Sequence, residues 1–251
     1  MSSRANYGID SPFIVVTLFI LSGIGFGAAL LWYIFRDPPR FGEIALVTAG
    51  IYFFLGAAGM LRYSKVGKLR IRDEILSAIK WCGDERALDV GCGRGLLLVG
   101  AARRLTTGTA VGLDRWVAGS LIGNRPEAAL DNARLEGVLD RVEVTQGDVR
   151  QLPFDGESFD LVMSNFVVHE VNNRAEREQV LREMVRVLKP GGRLSVVDFI
   201  FTGECVGLLK EIGLSDAKRA RVGSSFSFWF GALINFGLVQ TYTVTGSKSS
   251  D

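Results

Sequence analysis

Three aspartates, each closing or following a short apolar run, are the residues best placed to do chemistry. Asp89 stands in Leu88-Asp89-Val90, directly ahead of Gly91-Cys92-Gly93-Arg94-Gly95. Asp114 closes Val111-Gly112-Leu113, and Asp148 follows Gln146-Gly147, with Val149 next. A glycine-rich turn after a strand lets backbone approach a ligand closely. Nucleotide-binding oxidoreductases use similar glycines, so the glycines alone do not choose the ligand. Asp89 does. A carboxylate there would repel the pyrophosphate of a dinucleotide and favour a ligand that carries cations. The spacing is also Gly-x-Gly-x-Gly rather than Gly-x-Gly-x-x-Gly.

S-adenosylmethionine meets these requirements, since it has an ammonium, a sulfonium and no phosphate. Asp114 then suits paired hydrogen bonds to the ribose hydroxyls, and Asp148 suits the adenine amino group. Arg115 beside the ribose acid, Cys92 in the loop and Asn165 at the end of a fourth apolar run complete the candidate cofactor contacts. Cys92 is read as a small residue in a crowded turn, because nothing near it in sequence could act as its base. Gly95 is read as a packing residue.

His169 is the only histidine and lies in Val167-Val168-His169-Glu170, four residues beyond Asn165. It is a candidate general base for an acceptor O–H, N–H or C–H. It could equally cap a helix or wall the pocket, because methyl transfer from a sulfonium often needs only alignment of the two partners. A single histidine and three scattered cysteines, Cys82, Cys92 and Cys205, argue against a metal centre and against a disulfide framework. A net charge of +2 gives no electrostatic footprint for nucleic acid.

Alternating strands and helices must position these residues. Strands are expected over 87–90, 110–113, 142–145, 159–164 and 193–200. Helices are expected over 68–81, 95–105, 124–136 and 174–188. The third of these is opened by a capping box of Asn124 and Glu127; the last is stopped by Pro190-Gly191-Gly192. Two further strands, 217–222 and 238–245, are candidates for an antiparallel pair. The fold class is α/β: a Rossmann-like, doubly wound, mostly parallel sheet with an antiparallel C-terminal strand.

Two apolar helices are expected to precede this domain. Residues 11–35 carry no charged side chain, and 25 residues of helix cross a hydrocarbon core of about 30 Å. A second uncharged run covers 44–61. Arg36-Asp37-Pro38-Pro39-Arg40 forms a polar turn between them. Gly23 and Gly27, with Ala45 and Ala49, are small-residue pairs suited to helix packing. The turn has two cations, Arg36 and Arg40. The opposite side has six: Arg4, Arg62, Lys65, Lys68, Arg70 and Arg72. This predicts a two-helix membrane protein with its catalytic domain on the cytoplasmic side. The expected division is a membrane hairpin over 1–64, with helices at about 12–35 and 44–61, and a catalytic domain over 65–251. Apolar residues make up 48% of the chain, and its mean hydropathy is positive, in keeping with a bilayer partner.

The set 88–95, Gly112 to Asp114, Gly147-Asp148, 152–162 and Leu188-Lys189-Pro190-Gly191-Gly192-Arg193-Leu194 resembles the class I S-adenosylmethionine-dependent methyltransferases. The likeness is to the branch that includes the ubiquinone and menaquinone C-methylating enzymes, and it covers about 86–200. It implies that the glycine loop holds the methionine part of the cofactor. The acid after strand two would hold the ribose, and the acid after strand three would lie at the adenine. Those roles fall on Asp89, Gly91, Gly93, Asp114, Asp148 and Val149. The two apolar helices are outside the common family pattern.

The segment Phe226 to Phe236 has five aromatics in eleven residues and no charge. Following a strand that ends on the cofactor side, it is expected to wall an acceptor pocket or dip into the bilayer, with packing on the core as the alternative. The expected function is therefore methylation of a small, apolar or lipid-like acceptor by a membrane-anchored enzyme. Alternatives are methylation of a membrane-associated protein and a non-catalytic S-adenosylmethionine-binding module.

Overall fold

A computed structural model describes residues 4–35, 41–117, 123–171, 173–222 and 240–250. The expected polar turn at 36–40 and the aromatic segment 226–236 lie outside them.

The sheet grows from short runs that are apolar on both faces. In β1 (Arg86–Val90) Ala87, Leu88 and Val90 are fully buried, and in β4 (Phe159–Asn165) so are Leu161, Val162 and Met163. Strands covered on both sides need no polar face, which is the mark of a parallel sheet sandwiched by helices. With β2 (Thr109–Asp114), β3 (Val142–Gln146), β5 (Leu188–Asp198), β6 (Lys218–Arg221) and β7 (Tyr242–Ser247) the order is β3-β2-β1-β4-β5-β7-β6. The first five strands run parallel, and β7 is antiparallel to both β5 and β6. The chain winds outward from β1 in one direction and from β4 in the other. The crevice at the carboxyl ends of β1 and β4 is thus the switch point where this architecture binds ligands.

Helices α3 (Lys68–Ser77), α4 (Leu96–Ala102) and α5 (Pro126–Leu135) cover one face through Leu76, Leu97, Leu98 and Ala129. Helices α6 (Arg174–Arg186) and α7 (Thr202–Glu211) cover the other through Val180, Leu181, Met184, Leu208 and Leu209.

Two helices precede the domain. α1 (Pro12–Phe35) and α2 (Phe41–Arg62) are long and apolar enough to cross a membrane, by length and composition. They pack on each other but not through the expected small pairs. A side chain at Gly23 or Gly27 would meet nothing, and Ala45 is exposed. The contact runs instead through Gly25 and Gly50, where a β-carbon on Gly25 would lie 3.1 Å from the Gly50 backbone. The Ser22 hydroxyl donates to the Gly50 carbonyl across 2.9 Å. The reason is angular: the face of α1 that meets α2 follows Val15, Ser22, Gly25 and Ala29, and Gly23 and Gly27 fall off it.

Other boundaries differ for identifiable reasons. α5 starts at Pro126 with Arg125 as its cap residue, so Asn124 stands one position too early for a capping box; proline at the first helical position sets the start. α6 ends at Arg186, before the expected stop at Pro190-Gly191-Gly192. That triplet is part of β5, and the pairing with β4 shifts register between Phe159 and Leu161 to take it in. α2 does not end before the domain. It continues through a π-helical turn (Tyr63–Gly67) into α3, so one helical rod links the apolar hairpin to the α/β domain.

Candidate active site

The loop after β1 is shaped by its glycines. Gly91 has φ +76°, a left-handed conformation that L side chains rarely adopt, and a β-carbon there would lie 2.2 Å from Val167 Cγ2. The amides of Gly91 and Cys92 both donate to the Leu113 carbonyl, at 2.7 and 3.0 Å. The loop is thereby folded over the end of β2. A β-carbon on Gly95 would lie 3.3 Å from Ala129 and from Val99, so the glycine keeps α4 and α5 close.

Asp114 fixes the loop from below. One oxygen accepts the Gly93 N–H and the other the Trp116 N–H, each at 2.8 Å. The Trp116 indole N–H returns to the Gly93 carbonyl at 3.2 Å. Asp114 also lines the main cavity, with lone pairs remaining for hydroxyl donors.

Asp89 is placed differently. It is 2% exposed and does not line the cavity. One oxygen accepts the Leu98 N–H at 2.8 Å, at the N-terminus of α4. The other, Oδ1, is buried with no partner among the described residues. Burial pushes this carboxyl up to about 7, and nearby Asp114 adds to the rise. A buried carboxylate lacking a partner favours a cation close by.

Asp148 is held by arginine. Arg150 grips it with Nε and Nη2, at 3.0 and 2.7 Å, and Arg115 approaches to 3.9 Å. These hydrogen bonds pull its carboxyl down to about 2. The neighbouring Val149 lines the cavity, and Asp148 does not. Gly91, Cys92, Gly93, Arg115, Asn165 and His169 all line it. Burial drives the Cys92 thiol well above its ordinary range, so it is a neutral packing group.

The sequence reading did not single out Asp198. It closes β5, is fully buried, and on one oxygen accepts both the backbone N–H of His169 at 3.1 Å and its ring Nδ1 at 3.3 Å. The signal was there: an acid at the end of an apolar strand, as at Asp89 and Asp114. A second unforeseen group is the segment before α1. The Asn6 carbonyl accepts from Arg94 and from Asn132, and the Lys68 ammonium donates to the carbonyls of Tyr7 and Gly8. This strap lies against the glycine loop, since Asn132 also donates to the Arg94 carbonyl.

The cavity has a volume of about 790 Å³. It extends from the glycine loop past Phe166 and Phe199 to the base of the hairpin, where Ile14, Leu18, Gly59 and Met60 line it. It is large enough for a nucleoside-sized ligand and a second molecule together.

Residues 88–196 match the family model described as a methyltransferase domain. Methyltransferase GfsG of Streptomyces halstedii is 34% identical over 134 residues, which are 53% of this chain and 45% of the relative. The 27-O-demethylrifamycin SV methyltransferase of Amycolatopsis mediterranei is 33% identical over 153 residues, 61% of this chain and 50% of the relative. Demethylmenaquinone methyltransferase of Lactobacillus johnsonii is 29% identical over 51% of this chain and 49% of its own length. The chain spans about half the length of these relatives. Among solved structures, the YcgJ protein of Bacillus subtilis superposes with a TM-score of 0.55 at 16% identity, covering 72% of this chain and 99% of that one. The [4+2]-cyclase SpnF gives 0.56 at 22% identity, covering 73% and 82%. These two show the Rossmann-like fold alone, and the cyclase shows that the fold does not by itself specify methyl transfer.

Proposed function

We propose, from a chain whose residues 88–196 match a methyltransferase-domain model, that the protein is an S-adenosylmethionine-dependent methyltransferase that methylates a small, apolar or lipid-like acceptor while α1 and α2 anchor it in a bilayer. The observation that carries this reading is the continuity of the cavity. Its wall passes from Gly91, Gly93 and Asp114 to Ile14, Leu18 and Met60 of the hairpin.

The residues at the loop fit S-adenosylmethionine. The unpartnered Oδ1 of Asp89 favours an ammonium, the backbone of Gly91 and Gly93 lines the cavity, and Asp114 offers acceptors to the ribose. When bound, this cofactor supplies a methyl group on a positively charged sulfur. The chain's part is to orient the acceptor, which the apolar side chains at the hairpin end of the cavity favour.

Bilayer anchoring rests on where the apolar side chains point. Ile20, Ile24, Leu30 and Leu31 of α1 and Ile44, Ile51 and Phe54 of α2 are all exposed. A buried core helix pair would hide them, and a single cleaved leader would not need α2. The excess of cations flanking the domain side of the hairpin favours a cytoplasmic catalytic domain. The names of the rifamycin and menaquinone relatives favour a small-molecule acceptor.

The test is to incubate the full-length protein with methyl-labelled S-adenosylmethionine and a membrane lipid extract. Label in the solvent-extracted lipid is expected. Label confined to protein would replace this reading with methylation of a membrane-associated protein, and S-adenosylmethionine binding without label in either would favour a non-catalytic module.

A further inference from the structure

We propose that Arg62 and Arg70 form an oxyanion-binding subsite on the wall of the cavity, which holds the acidic head of an amphiphilic acceptor while its apolar chain lies along the base of the hairpin. The inference rests on the methyltransferase reading above and narrows its acceptor from apolar molecules in general to acidic amphiphiles.

The helical rod sets the geometry. Arg62 ends α2 and Arg70 lies in the first turn of α3, with the π-helical turn Tyr63–Gly67 between them. In an unbroken α-helix, residues eight positions apart stand about 80° off a common face. A π turn bonds i to i+5 and advances through a smaller angle per residue. The eight steps therefore come closer to two whole turns, and both arginines line the cavity, as do Tyr63, Ser64 and Val66 of the turn itself. Lys65, in the same turn, is exposed and does not line it. Gly67 gives the turn its shape: a β-carbon there would lie 2.8 Å from Tyr63 Cδ2. Tyr63 in turn packs on Ile71, Ile75, Val197 and Val222, which fixes the turn against the end of the sheet. A π turn inside an α-helix is rare and recurs at functional sites. Here it aims two guanidiniums at one space.

Charge comes next. Neither Arg62 nor Arg70 has a hydrogen-bond or acidic partner among the described residues. Neighbouring cations on this wall are engaged. Lys68 donates to the Tyr7 and Gly8 carbonyls and pairs with Asp10, and Arg94 donates to the Asn6 and Gly123 carbonyls. The acids that line the cavity are Asp10, Asp114 and Glu170. Asp10 is taken by Lys68 and Ser64, Asp114 accepts the Gly93 and Trp116 N–H groups, and Glu170 belongs to the turn after β4. Two guanidiniums are thus left to take an anion from the cavity. Their planar forks suit the paired oxygens of a phosphate or a carboxylate.

The surroundings make that anion part of an amphiphile. Gly59 and Met60, within one helical turn of Arg62, line the cavity with Ile14 and Leu18 of α1. The exposed side chains of Ile20 and Ile24 continue this apolar surface along the hairpin. A small hydrophilic anion would leave the apolar wall unmatched, and a neutral lipid would leave both guanidiniums unmatched. An acidic head on an apolar chain satisfies both, at the depth where arginines meet the headgroups of a bilayer. Cations beside an oxyanion lower its basicity. The head is therefore the part that is held, the methyl group goes to another atom of the acceptor, and the product keeps its charge.

The first test measures binding of radiolabelled dodecyl phosphate to the full-length protein in dodecyl maltoside micelles, beside dodecanol and inorganic phosphate. Saturable binding of dodecyl phosphate is expected, with neither of the others binding comparably. Arg62→Gln and Arg70→Gln should each weaken it about tenfold or more, the range for losing one charge-assisted hydrogen bond. Lys65→Gln should change it less than about twofold, as expected of an exposed charge in high dielectric. An equal loss in Lys65→Gln would show general surface electrostatics and overturn the subsite. So would dodecanol binding as tightly as dodecyl phosphate, and inorganic phosphate doing so would overturn the amphiphile. The second test separates a membrane lipid extract by anion exchange after incubation with methyl-labelled S-adenosylmethionine. Label is expected in the acidic fraction and should fall about tenfold or more in the Arg62→Gln, Arg70→Gln double variant; label in the neutral fraction would overturn the proposal. Calorimetry with S-adenosylmethionine separates the two levels. A protein that binds it yet fails these tests refutes the subsite alone, and one that does not bind it refutes the methyltransferase reading, whatever the outcome with dodecyl phosphate.

Discussion

The carboxylate of Asp114 receives the backbone N–H of Gly93 across 2.8 Å, so the residue read as the ribose acceptor also braces the loop expected to hold the methionine end of the cofactor. Replacing it should damage both functions at once. Asp114→Ala is expected to weaken S-adenosylmethionine binding about 10- to 100-fold, the range for losing a charge-assisted hydrogen bond. Titration calorimetry checks this, with circular dichroism confirming that the sheet remains.

Asp89 makes binding depend on pH. Its carboxyl is raised from 3.8 to about 7 by burial. The folded chain keeps this proton where the unfolded chain has lost it. The stabilisation is complete below about pH 4 and disappears as pH rises through about 7. A cation bound nearby favours the ionised form. Affinity for S-adenosylmethionine should therefore increase from pH 6 to 8, and binding near pH 7 should release a proton, read by calorimetry in buffers of different ionisation enthalpy. Asp89→Asn should abolish that release and weaken binding about tenfold, without lowering thermal stability at pH 8. Affinity that is flat with pH would refute the role.

Gly91→Ala should be among the costliest single-methyl additions. It places a β-carbon at φ +76° and 2.2 Å from Val167. Overpacking and left-handed strain together are expected to cost about 2–4 kcal/mol, a fall in Tm of roughly 5–12 °C for a chain of this size. Adding Val167→Ala should recover part of the loss by removing the clash, whereas strictly additive effects would deny that the two residues touch.

The strap ahead of α1 predicts coupling between the hairpin and the cofactor loop. Lys68 is buried, donates to the carbonyls of Tyr7 and Gly8, and pairs with Asp10. Lys68→Ala leaves these acceptors unmatched. Hydrogen exchange should rise over 6–10 and also around Arg94, which holds the Asn6 carbonyl. Exchange confined to 6–10 would show that the strap is independent of the loop. The same contacts make a truncation of residues 1–61 a poor test of anchoring, since it removes the strap with the helices.

The parallel core was legible because its strands are buried on both faces and read as unbroken apolar runs, as in Ala87 to Val90 and Leu161 to Met163. Asp89 and Asp114 stood out as lone charges at the edge of such runs. Asp198 bears the same signature, but its partner comes from the loop after another strand, and only the β4–β5 pairing brings His169 beside it. The engagement of Asp148 by Arg150 depends on the turn geometry two residues on, which composition does not encode. The π-helical turn at Tyr63–Gly67 has no proline to announce it, so a continuous rod looked like two helices. The choice of Gly25 over Gly23 at the hairpin contact required the helix rotation set by packing.

The central claim is that the cavity at the Gly91–Gly95 loop takes S-adenosylmethionine. Titration calorimetry of the full-length protein in detergent, with S-adenosylmethionine and with NADH, tests it most directly. The account predicts saturable one-to-one binding of S-adenosylmethionine that Asp114→Ala weakens, and no binding of NADH. Binding of NADH, or S-adenosylmethionine binding that is indifferent to Asp114, would contradict it.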